Sequence, residues 1–417
     1  MINLKTLIIK SYLPAALYEI AIGAISPMVA IAALNLKADI TTASIIAAML
    51  GIGQIIGDIP AGKLATSHGD RRAMIYGAGA SLICLVICYF ASNYYILSLG
   101  VLTIGAINAI FMLARQGYII EITPPKLVSR ALSGLGGMSR IGLLVGPFLG
   151  SWVISVWGFN SLYILSIIIV LLSLTVLLVF PDDNLTDYAE LEAIKSSQNK
   201  VSQIKLNQIK SNQVNISSVK LFKQYRKIFL TLGFAILLVS VIRAIRQVGI
   251  PLWAQSQGIS DDGTSLIFGL SSLFDVALFY PSALLMDKWG RLWSSVPSML
   301  IMAVGLAILP LTHSFWAITI VAMVIGIGNG LGTGIVMTLA ADIAPSEHRA
   351  NFLGIWRIYS DFGNAVGPAL ISLGTTVLTL GMTISLLSSL GLIAAVMLLI
   401  FAPKFSNKAN LLGIPTL

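Results

Sequence analysis

Residues 104–124 open on Ile104-Gly105-Ala106-Ile107-Asn108 and close on Glu121-Ile122-Thr123-Pro124, and residues 325–345 open on Ile325-Gly326-Ile327-Gly328-Asn329 and close on Asp342-Ile343-Ala344-Pro345. The offset between them is 329 − 108 = 221. The same offset carries Pro60 onto Pro281, Gly69 onto Gly290, and Gly142-x-x-x-Gly146-Pro147 onto Gly363-x-x-x-Gly367-Pro368. One gapless register through an ordered set of positions marks an internal repeat, so the chain reads as two related halves.

Each half is built of apolar runs of about 20 residues, the length that crosses a ~30 Å hydrocarbon layer as a helix. Only 10% of the 417 residues are charged and 57% are apolar, whereas a soluble chain carries roughly a quarter charged residues. Lipid is therefore the expected solvent, and the fold class an all-α membrane protein of twelve transmembrane helices. The runs lie near 11–34, 41–63, 73–92, 96–121, 131–156 and 161–180, then 228–254, 264–286, 294–313, 316–341, 351–377 and 382–402. This divides the chain into a six-helix bundle at 1–180, a linker at 181–227, a second bundle at 228–402 and a tail at 403–417. In the linker, Lys195, Lys200, Lys205 and Lys210 recur at a spacing that keeps no helical face, so it reads as flexible, with lipid headgroups or a partner as possible contacts.

The twelve-helix layout puts Lys5, Lys10, Lys63, Arg71, Arg72, Lys126, Arg130, Lys288, Arg291, Arg349, Lys404 and Lys408 on one side, against Lys37 on the other. Basic loops stay in the cytoplasm, which predicts a multi-pass protein of the inner membrane with both termini cytoplasmic. The first helix follows Lys5 and Lys10 as a signal peptide would, but its length and lack of a small-x-small site make it a retained span. The same loop distribution accounts for the net charge of +9 without nucleic acid as a partner. Cys84 and Cys88 lie in an apolar helix without a nearby His or carboxylate, and His68, His313 and His348 are scattered. No metal site follows from that spacing.

The loop Asp287-Lys288-x-Gly290-Arg291 is similar to the D-[RK]-x-G-R motif of the major facilitator superfamily. The first-half copy runs from Gly62 and Lys63 through Gly69 to Arg71 and Arg72, with Thr66 where the family has Asp. Helix 5 carries Gly142-x-x-x-Gly146-Pro147-x-x-Gly150, which resembles the antiporter motif of the drug/proton exporter branch, and Arg115-Gln116-Gly117 is similar to the superfamily's helix-4 arginine motif in a compressed form. The resemblance implies two pseudo-symmetric bundles that rock about a central site. It implies proton-coupled efflux of a drug or metabolite, with an uptake symporter for a sugar, organic acid or peptide, or a lipid flippase, as alternatives. It also implies no enzymatic activity, a monomer in the lipid, a small molecule and protons as partners, and a proton gradient in place of any cofactor.

Each motif has a physical reading and a plainer one. Arg71, Arg72 and Arg291 can latch a conformation on a neighbouring acid, such as Asp58 or Asp70 in the first half, or simply cap helix ends and set topology. Gly-x-x-x-Gly-Pro in helices 5 and 11 permits a bend, or close packing alone.

Ionisable residues inside the membrane are costly and usually face a cavity or one another. They are Glu19, Asp58, Arg115, Arg140, Arg243, Arg246, Asp275, Arg357 and Asp361. Asp275 precedes the loop residue Asp287 by twelve positions, about 18 Å of helix and hence near the midplane. Arg140 is the repeat counterpart of Asp361, so the halves carry opposite charges at one depth. Because the superfamily fold packs helix 5 near helix 8 and helix 2 near helix 11, the resemblance implies an Arg140–Asp275 pair across the halves, with Asp361 near helix 2. Such a pair either breaks on protonation or serves as a fixed strut. Glu19 either takes protons or pairs with Arg115, and Asp58 lies near a wet helix end. Arg243 and Arg246 either receive an anionic substrate or compete for Asp275. Asn108 and Asn329 read as substrate hydrogen-bonding groups or as interhelical bonds, and Tyr18, Trp356 and Tyr359 as cavity walls or filler. The glycines from Gly326 to Gly334 make helix 10 a bending gate or a packing groove.

Overall fold

The computed structural model describes residues 8–123, 127–180, 218–345 and 348–405. Among them eleven helices are long and apolar enough to cross a membrane. In the first half these are α1 (Ile9–Asn35), α2 (Ile40–His68), α3 (Asp70–Tyr89), α4 (Tyr94–Ile122), α5 (Val128–Trp157) and α6 (Ser161–Val179). The second half repeats them as α7 (Arg226–Ser256), α8 (Asp261–Trp289), α9 (Arg291–Leu311), α10 (Phe315–Ile343), α11 (Arg349–Thr375) and α12 (Leu380–Phe405). Helix α11 is the twelfth. It has the length of a span, 27 residues, but Arg357, Asp361 and Asn364 make it too polar to be recognised on hydropathy.

Local chemistry marks the ends. Asp39, Asn93 and Ser314 accept hydrogen bonds from backbone amides of the first turns of α2, α4 and α10. The Thr42 side chain, and after it the Thr42 amide, hold the Asp39 carboxyl below its ordinary range. Gly69 and Gly290 stop α2 and α8 at φ +84° and +96°, a region open to glycine at little cost. That is why both copies of the loop motif keep this residue.

The packing repeats with the sequence. α2 packs on α4 as α8 does on α10, α1 on α5 as α7 on α11, and α3 on α6 as α9 on α12. Two seams join the halves, α5 against α8 and α2 against α11. The Gly-x-x-x-Gly-Pro segments are where α1 and α7 sink in. A Cβ on Gly142 would stand 2.5 Å from the Glu19 carbonyl carbon, and one on Gly367 2.6 Å from the Ala244 Cβ. Close packing thus uses the motif fully.

Two expectations change. Residues 218–227, read as linker, are largely helical: Ser218–Gln224 is a helix packed on α11, with Leu221 buried. Residues 181–217, 406–417 and Lys5 and Lys126 lie outside the described residues. The helix near 316–341 is interrupted, with Phe315–Leu331 and Ile335–Ile343 meeting at Gly334, φ +88°. Ser282 and Ser294 donate to the Leu331 carbonyl, and Arg243 donates to that of Gly332 at 2.6 Å. The carbonyls freed by the break are therefore satisfied inside the bundle, as hydrocarbon requires. Gly326, Gly328 and Gly330 upstream form a groove against α8 and α9.

Candidate functional site

The α5/α8 seam runs antiparallel. Ser265 donates to the Pro147 carbonyl at 2.8 Å, and further along Gly269 faces Phe148. The same alignment brings Arg140 of α5 opposite Asp275 of α8, with Nη1 3.1 Å from Oδ1. Two groups of the second half hold the other carboxylate oxygen: Asn329 Nδ2 at 2.6 Å and Arg246 Nη1 at 3.4 Å. Arg246 also donates to Ser271 at 3.1 Å and stands over the Phe268 ring, while Arg140 stands over Phe279. Asp275 is 3% exposed and Arg140 22%, so the carboxylate is closed off behind a guanidinium that still meets solvent. Arg243, one turn from Arg246, lies within electrostatic reach of Arg140, Asp275 and Arg246 and spends its one described hydrogen bond on Gly332.

The α2/α11 seam is also antiparallel, from Thr41–Thr375 (3.0 Å) through Gly51 against Ala365 to Asp58–Arg357 (3.6 Å). Arg357 turns back to Asp361 at 3.2 Å. Both Arg357 and Asp58 are about one-third exposed, at 35% and 31%. The two ion pairs occupy different repeat positions. Shifting by 221, Asp275 corresponds to Gln54 and Arg140 to Asp361, whereas Asp58 corresponds to Phe279 and Arg357 to Gly136.

Inside the first half, Arg115 of α4 pairs with Glu19 of α1 at 2.7 Å, and Ser139 bridges them, receiving from Arg115 at 2.9 Å and donating to Glu19 at 3.3 Å. Ser240 and Ser360, the repeat counterparts of Glu19 and Ser139, are themselves hydrogen-bonded at 3.0 Å. The same contact recurs at the equivalent positions of both halves, as a serine pair in the second and with an ion pair in the first.

Several expectations are corrected by burial. Tyr18 is fully buried, bonded to Ser81 at 2.9 Å and stacked on Phe111, and Trp356 is buried and donates to the Val336 carbonyl at 2.9 Å. Each points into its own bundle, as the filler reading has it. Tyr359 lies over Gly233 of α7. Asn329 makes an interhelical bond, while Asn108 is partly buried in an unbroken helix. Arg71 caps α6, donating to the carbonyls of Leu177 and Phe180, and Arg72 is exposed. Arg291 joins Asp287 at 3.4 Å and Asp342, at the end of α10, at 3.2 Å, while Lys288 points outward. Asp70 rests its carboxylate on Gly117, where a Cβ would clash. That contact accounts for the glycine of the helix-4 motif. Gly62 has open space beside it.

Sequence reasoning missed Ser139 and Ser271. A signal existed, since each stands on the helix of a membrane charge, Ser139 next to Arg140 and Ser271 one turn before Asp275. Among the described residues no group of His, Cys, Asp or Glu could hold a metal ion.

This chain is similar to known proteins along its whole length. The model of the Major Facilitator Superfamily matches residues 13–245 and 232–414. A multidrug resistance protein, MdtG of Proteus mirabilis, is 25% identical over 174 residues, 41% of this chain and 43% of that protein. The chain thus spans about two fifths of the length of the MdtG relatives it matches. An uncharacterized MFS-type transporter, MJ1560 of Methanocaldococcus jannaschii, is 21% identical over 84% of this chain and 86% of its own. Among solved structures, a POT family transporter in complex with a thioalcohol conjugated peptide superposes with a TM-score of 0.76 at 14% identity, covering 97% of both chains. A D-xylose-proton symporter superposes at 0.70 and 16% identity, over 97% of this chain and 98% of that one. At such identities the likeness to solved structures is one of fold.

Proposed function

The chain belongs to the Major Facilitator Superfamily, and we propose that this membrane transporter exports a small molecule, a drug or metabolite, in exchange for protons by alternating access. The observation that carries this reading is the placement of Asp275. Its carboxylate stands in the seam between the halves, held by Arg140 of one and by Arg246 and Asn329 of the other. A group so placed senses the relative position of the halves. Protonation of Asp275 removes the charge that holds both arginines, and Arg140 can then leave with its own half. Breaking a buried pair costs about 3–5 kcal/mol, enough to bias a two-state carrier strongly.

The basic face of the molecule is the cytoplasmic one in this reading, which places both termini inside and the protein in the bacterial inner membrane. The MdtG relatives carry a multidrug resistance name, and the Gly-x-x-x-Gly-Pro helix fits the exporter branch. Energy comes from the proton gradient, without a cofactor.

The test is purified protein in liposomes with an internal pH dye and an imposed gradient, screened with drugs, sugars, organic acids and peptides. Substrate-elicited proton movement is expected in the wild type and lost in Asp275→Asn. Coupled transport at an unchanged rate in that variant would overturn the role of Asp275.

A further inference from the structure

Charge does not balance around Asp275. Arg140 and Arg246 pair with one carboxylate, and Arg243 stands one helical turn from Arg246, so two positive charges stand in excess there. Arg243 makes no ion pair among the described residues, and its Nε and the Nε of Arg246 are buried donors without a hydrogen-bond partner. Uncompensated guanidiniums and open donors are costly inside a bilayer. A fold that keeps them has a use for an anion there.

The way Asp275 is held tells which anion. A planar two-oxygen group already sits in the site, one oxygen on Arg140 and the other on Arg246 and Asn329. Guanidinium forks fit carboxylates in this manner. The surroundings are apolar, because Phe268 and Phe279 lie under the two guanidiniums. Arg140, still 22% exposed, offers the way in.

We propose that this arginine cluster receives the carboxylate of an organic acid with an apolar body, and that Asp275 is the resident counter-ion with which that substrate competes. This assignment rests on the transporter reading above and adds its substrate class. When the ligand carboxylate takes over Arg140 and the unpaired Arg243, Asp275 gives up its claim on Arg140 and is free to carry a proton. Substrate and proton thus share one set of donors.

The experiment measures binding of three matched probes to the full-length protein in detergent by titration calorimetry: 2-naphthoate, neutral 2-naphthamide and cationic 2-naphthylmethylammonium. Naphthoate is expected to bind at least 10-fold more tightly than the other two. Asp275→Asn, which removes the competitor and keeps the three arginines, is expected to tighten naphthoate several-fold. Arg243→Gln should weaken it about 10-fold. A strut role for Asp275 predicts the opposite for the first variant, since the site would loosen. Preference for the cation, no naphthoate binding at millimolar concentration, or weaker binding in Asp275→Asn would each overturn the proposal. The wild-type comparison needs no variant to fold. Proton-coupled flux of cations without naphthoate binding would sink this assignment and leave the exporter standing. Selective naphthoate binding without any proton-coupled flux would do the reverse.

Discussion

The two seams between the halves are built on equivalent backbones and hold opposite kinds of contact. At α5/α8 the helices meet through side chains, where a Cβ on Gly269 would stand an ordinary 3.4 Å from the Phe148 ring, and a buried ion pair forms the centre. At α2/α11 the helices meet backbone to backbone, because a Cβ on Gly51 would come to 3.0 Å from the Ala365 Cα, and the ion pair is long and about one-third exposed. One seam is held by charge and the other by fit. In the proposed exchange mechanism the fitted seam is the one about which the halves pivot, and the charged seam the one that a proton switches.

The largest effect should come from the charged seam. Asp275→Ala leaves its arginines uncompensated, and thermal unfolding in detergent should show a loss of about 3–5 kcal/mol, with Arg140→Ala somewhat milder because Arg246 and Asn329 still hold the carboxylate. If Asp275→Ala melts with the wild type, the seam is not held by charge. Next in size is the exchange of fit. Gly51→Ala should cost about 1–3 kcal/mol by overpacking against backbone, whereas Gly269→Ala should change stability by less than about 1 kcal/mol, measured by the same melts. Equal costs would erase the distinction. The smallest effect belongs to Arg357→Ala, whose partly exposed pair should contribute less than about 1 kcal/mol. Its effect should shrink further in 1 M salt, while that of Arg140→Ala persists because a buried pair is poorly screened.

The repeat register made most of this architecture legible. An offset that maps α2, α4 and α5 onto α8, α10 and α11 also predicts which contacts recur, and the seams obey it. The meeting of Asp275 with Arg140 followed from the resemblance. What stayed hidden was which way a side chain faces. Tyr18 and Trp356 each turn into their own bundle; α1 is apolar nearly all round, so periodicity does not separate its faces, and in α11 Trp356 stands next to Arg357, so its sequence neighbours give no direction. The serine bridges were obscured because serine is common in membrane helices. Glycine density flagged α10, but only backbone geometry picks Gly334, among so many, as the residue with positive φ.

The interruption of α10 has no twin. Its counterpart α4 runs 29 residues without a break, with Phe111 and Leu113 standing where α10 has Gly332 and Gly334. In mechanical terms α4 is a single beam, and α10 is two beams of 17 and 9 residues on a pivot. A torque applied at the basic end of α4 is carried through the membrane to its far end. The same torque on α10 is absorbed at the pivot, where Arg243 is the pin, so one half of the molecule works as a lever and the other as a hinge.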